Sequence, residues 1–71
     1  MIRYQTDILA LKSRVIGWAV HRVRVHTRAH AAVTLTLCYL DTAAELAGAR
    51  RTHFLRCARD QWRVAVRLTG G

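Results

Sequence analysis

The chain has 71 residues, 12 of them Lys or Arg against 4 Asp or Glu, for a formal net charge of +8. That length allows one domain at most, and an apolar fraction of 52% argues against a disordered tail. The charge favours acidic partners, whether nucleic acid, an anionic membrane or an acidic protein face, although a solvated basic surface also keeps a small apolar protein soluble. Turn formers are scarce. Pro and Asn are absent, and the glycines are Gly17, Gly48, Gly70 and Gly71. Such a chain cannot easily make several hairpins, so the expected class is all-α.

Residues 1–20 carry Asp7, Ser13 and Arg14 and have no clean apolar core, so no secretory signal is expected. The longest stretch free of Lys, Arg, Asp and Glu is Ala29–Leu40, short of the roughly 20 residues a membrane span needs. Two cysteines, Cys38 and Cys57, make no disulfide framework, and reduced thiols in a cytoplasmic setting are the expectation.

In chain order, Thr6 and Asp7 can cap a helix whose apolar pattern opens at Ile8. At roughly 100° per residue, Ile8, Leu11, Val15, Trp18, Ala19 and Val23 share a face, which Ala29, Val33, Leu37 and Leu40 continue. Val23–Val25 and Val33–Leu37 alternate like strands, but 27–32 lacks the turn residues that a hairpin between them requires. The pattern therefore predicts one long helix from about residue 5 to 40. Thr42-Ala43-Ala44-Glu45 reads as a capping box, which places a turn at 41–42 and a second helix over about 43–68, ended by Gly70 and Gly71. On that helix Leu46, Ala47, Phe54, Leu55, Cys57, Ala58, Trp62, Val64, Ala65, Val66 and Leu68 fill an arc of roughly 200°. Residues 1–71 are thus expected to form a single domain, a long two-helix antiparallel hairpin.

An arc that wide contacts two neighbours. Ile2, Ile8, Leu9 and Leu11 would project past the shorter partner helix, with Trp18 and Trp62 as core or interface anchors. A homodimer in a four-helix arrangement is the expected cover.

A turn at 41–42 sets His26 opposite Cys57 and His30 opposite His53. Residues four apart share a helix face, so each helix would offer two ligands, and three imidazoles with one thiolate can close a tetrahedral zinc site. Zinc is accordingly the candidate cofactor. The competing reading makes Cys57 a small core residue and the histidines ordinary polar-edge side chains.

Arg56, Arg59, Arg63 and Arg67 align along one face, and Arg22, Arg24 and Arg28 form a second basic cluster. Together they are candidate phosphate contacts or a solvated surface. No glycine-rich phosphate loop, nucleophile motif or acid pair is present, so no enzyme is expected. The leading functional expectation is a non-enzymatic regulator, inhibitor or adaptor docking on a partner protein, phage- or mobile-element-like in style. The alternative is a nucleic-acid-binding accessory protein that uses the arginine-rich helix faces. A basic amphipathic membrane-surface chain is a third.

Overall fold

Seven residues, 21–27, break what the apolar pattern presents as one helix. The computed structural model describes the backbone of residues 2–70 and the side chains of residues 7–70. It contains three helices, α1 (Ile2–Val20), α2 (Arg28–Ala44) and α3 (Gly48–Leu68), and no strand among the described residues. The all-α expectation holds, and the expected helix over 5–40 is corrected to two helices. An unbroken helix of that length would measure roughly 54 Å, whereas the molecule's long axis is 34 Å.

Local chemistry explains the break. Val23 and Val25 are β-branched and lose side-chain freedom in a helix. Thr27 then starts α2: its backbone is extended, and its hydroxyl accepts from the His30 amide at 3.1 Å while donating to the Arg24 carbonyl at 2.7 Å. His26, just before this cap, takes φ +69°, a left-handed conformation uncommon for a non-glycine residue.

The turn between α2 and α3 also lies elsewhere than expected. Thr42 and the residues around it belong to α2, and the Thr42 hydroxyl donates back to the Cys38 carbonyl at 2.9 Å. Glu45 is the C-cap of α2, not a capping-box carboxylate. The chain turns at 45–47 and enters α3 at Gly48, whose φ of +61° suits a residue without Cβ. Across this turn the Arg51 side chain donates to the Ala43 carbonyl at 3.2 Å, placing a cation on the C-terminal end of α2. The capping box misleads because Leu40 and Ala43, 4% and 0% exposed, continue the buried face of α2 through it.

The helices run up, down and up. α2 and α3 form an antiparallel pair along small buried residues, Ala32, Ala43, Ala58 and Ala65, which let the backbones approach closely. Tyr39 and Phe54 stack at 6.1 Å beside them. Thr36 is buried but satisfied, donating to the Ala32 carbonyl at 2.8 Å. α1 folds back on α2 through Ile8 and Val15, each less than a tenth exposed. Burying two such side chains contributes about 1.5–3 kcal/mol each. The Lys12–Asp41 ion pair also joins α1 to α2, but it is solvent-exposed and contributes at most about 1 kcal/mol. Apolar burial therefore holds α1 in place. The first and third helices, now parallel neighbours, meet through Trp18 and Trp62, whose rings lie edge to face at 4.6 Å.

Candidate functional site

Between α1 and α3, above α2, lies a groove of about 740 Å³. Its floor is Thr36 and Leu40 of α2 with Ala58 of α3. One wall is Leu11 and Val15 of α1, and the other is Leu55 and Trp62 of α3. Three arginines, Arg14, Arg56 and Arg59, line it while remaining exposed, so their charges stand at the rim. No carboxylate is among the lining residues. On α3 the lining runs from Thr52 to Trp62, just past Arg59, and the Trp62 ring meets that of Trp18, one turn beyond Arg14 on α1. Sequence reasoning placed Arg14 on a polar face and missed this site, because it exists only once α1 has folded back.

The fold brings the first expected basic cluster and the last two arginines of the second to one end, while Arg56 and Arg59 line the groove. Arg22 and Arg24 lie in the 21–27 connection and Arg28 opens α2, while Arg63 and Arg67 lie near the end of α3. Because α2 and α3 are antiparallel, these segments are neighbours. Arg28 shares a shallow groove of about 290 Å³ with Val64 and Leu68. Arg22, Arg24, Arg28, Arg56, Arg59, Arg63 and Arg67 are all exposed. The Arg22 guanidinium also sits 5.6 Å from the centre of the Trp18 ring and donates to the Trp18 carbonyl at 3.2 Å.

The four expected zinc ligands stay in two separate pairs. His26 and His30 flank the start of α2, with ring centres 6.4 Å apart. His53 and Cys57 lie on α3, with Nε2 and Sγ 3.7 Å apart. Moving the turn from 41–42 to 45–47 shifts the facing residue by about nine positions, roughly 14 Å along the helix. His53 therefore lies near the turn beside Phe54 and Tyr39, while His30 lies at the other end of α2. Among the described residues no three His, Cys, Asp or Glu side chains form a group that could hold a metal ion.

The expected interface residues divide in the same way. Ile8 is 4% exposed and belongs to the chain's own core, and Trp18 and Trp62 are half-buried against each other. Leu9 and Leu11 are exposed, at 60% and 42%. The side chain of Ile2 lies outside the described residues. Ile16 and Val20, which the sequence reading left unassigned, join Leu9 on one outer stripe of α1 at 46% and 66% exposure. Their spacings of seven and four were the available signal. No helix among the described residues is long and apolar enough to cross a membrane. Comparisons with protein-family models, curated proteins and solved structures find no match to this chain.

Proposed function

We propose that this chain is a small non-enzymatic helical binding protein, a regulator, inhibitor or adaptor that docks on a partner protein through exposed apolar helix faces, with arginines meeting an acidic rim. One observation carries the reading. The accessible surface is 5409 Å², whereas a folded monomer of this mass exposes about 4,500 Å². Leu9, Ile16 and Val20 lie within that surface as exposed apolar side chains on one side of α1, with Lys12 and Ser13 between Leu9 and Ile16. The charge of +8 favours an acidic partner over a second copy, which would bring the same charge. Self-association stays a secondary element of the proposal. With three helices per chain, a pair of copies would assemble six helices instead of four.

The test is photo-crosslinking from Leu9 and Ile16 in the native host, with the captured protein then purified and titrated. A single acidic partner is expected, with binding lost in Leu9→Asp plus Ile16→Asp and only mild salt dependence. Equal capture by that double variant would refute the reading.

The second reading, nucleic-acid binding, is favoured by the gathering of Arg22, Arg24, Arg28, Arg63 and Arg67 at one end of the bundle. It requires affinity for duplex DNA or RNA that falls steeply with salt, by about 0.9 decades per decade of salt for each phosphate contact on duplex DNA. It further requires that Arg63→Glu plus Arg67→Glu weaken binding more than about tenfold.

A further inference from the structure

The groove between α1 and α3 has no part in the docking reading, and its construction is that of a small-ligand site. We propose that it binds a single-chain anionic amphiphile, a carboxylate or comparable anion on a medium-length aliphatic tail.

Three features of the groove converge on that chemistry. Its volume of about 740 Å³ lies within the range of small-molecule sites, roughly 300–1,000 Å³. Its floor and walls are largely apolar, with Leu11, Leu40 and Leu55 placed to lie along a tail. Its charged groups are all of one sign, with Arg14 and Arg59 facing the same stretch of groove from opposite helices and no lining carboxylate to neutralise them. An anionic head between these two guanidiniums would receive charge-assisted hydrogen bonds from both sides. A cationic or neutral head would gain nothing comparable.

The shape favours a tail over a helix. From Thr52 to Trp62 the α3 wall runs ten residues, roughly 15 Å, the length of a medium-chain acyl group. Trp62, whose ring meets that of Trp18, is the last α3 residue lining the groove. A partner helix is about 10 Å wide or more, a poorer match to a groove of this volume than a single chain. With its head between Arg14 and Arg59, a flexible chain starts beside Trp62 and runs past Leu11 and Leu55 toward Thr52. A second copy is disfavoured by like charge, since each chain carries a net +8.

Trp62 also supplies the reporter, because it lines the groove and its ring meets that of Trp18, the chain's other tryptophan. Decanoate is titrated into the full chain well below its micelle concentration, with decyltrimethylammonium and decanol as controls. Calorimetry and tryptophan emission are read together. The expected result is saturable one-to-one binding of decanoate, at least tenfold tighter than either control. Shortening the tail by two carbons should weaken it about tenfold, as expected for two buried methylenes. Arg14→Glu plus Arg59→Glu changes exposed residues and should abolish binding with helicity retained. Thr52→Trp, at the far end of the wall, should block the tail. Arg63→Glu plus Arg67→Glu, outside the groove, should leave binding unchanged. Equal affinity for decyltrimethylammonium, indifference to the Arg14 and Arg59 reversal, or absence of saturation would each overturn the proposal. None of these outcomes bears on the Leu9 and Ile16 stripe, so this inference and the docking reading fail separately.

Discussion

Replacing glycine by alanine at two positions should move stability in opposite directions, and the sign at one of them distinguishes two topologies of the same sequence. Gly17 lies in the interior of α1, and a methyl group added there meets no atom within 4 Å. The only consequence of Gly17→Ala is then reduced backbone entropy loss, a gain of about 0.5–1 kcal/mol. For a domain of this size that raises the melting temperature by about 3–6 °C. Gly48 also has open space around it, but its φ is +61°. Alanine in a left-handed conformation costs roughly 1–2 kcal/mol, so Gly48→Ala should lower the melting temperature by about 4 °C or more. Were the turn at 41–42 with a continuous helix behind it, Gly48 would be an interior helical residue, and alanine there would stabilise. Thermal melts followed at 222 nm on the two single variants and the double variant decide the matter. A rise in melting temperature for Gly48→Ala would refute the turn at 45–47, and with it the separation of the histidine pairs.

Three further outcomes are expected. Thr27→Ala removes the hydroxyl that accepts from the His30 amide and should cost about 1 kcal/mol in a urea titration, whereas Thr42→Ala should cost clearly less because Thr42 caps no helix start. A double-mutant cycle on Trp18→Leu and Trp62→Leu should return a coupling of about 0.5–1.5 kcal/mol for the edge-to-face pair; additive effects would mean that α1 and α3 do not meet there. One equivalent of zinc should shift the melting temperature by less than about 1 °C, since neither His26–His30 nor His53–Cys57 offers more than two ligands; a large rise reversed by EDTA would show that the pairs do converge.

The helical class and part of the inward faces were legible because the period of about 3.6 is local, although Leu11, Val64 and Leu68, placed on those faces, are exposed. Val15, Ala29, Val33, Leu40, Ala58 and Ala65 are buried where that period puts them, and Arg56, Arg59, Arg63 and Arg67 are exposed. The connections were not legible, for two separate reasons. At 21–27 the break has no glycine or proline to mark it, and the helical phase carries across it, so Ala29 and Val33 seem to continue the face of Val15. Its signals were the β-branched Val23 and Val25 and the threonine cap at Thr27. At 45–47 a local rule competed with the burial pattern. Thr42 and Glu45 have capping-box spacing, yet Leu40 and Ala43 keep the helix going and Gly48 supplies the left-handed residue the turn requires. Both errors propagate to the candidate sites. The zinc arrangement depended on an unbroken helix through His26 and on the turn position, so the break at 21–27 and the shifted turn together undo it, while the groove depended on α1 reversing direction.

The placement of the two tryptophans has a consequence for what any optical experiment on this protein can detect. Both sit at the junction of the first and last helices and are 44 residues apart in the chain. Their emission therefore follows the arrival of α1 against the α2–α3 pair. A partly assembled chain, with α2 and α3 paired and α1 detached, would keep most of its far-ultraviolet signal while its indoles faced water. Agreement between fluorescence and circular dichroism during unfolding thus becomes a direct measure of whether the three helices form a single cooperative unit.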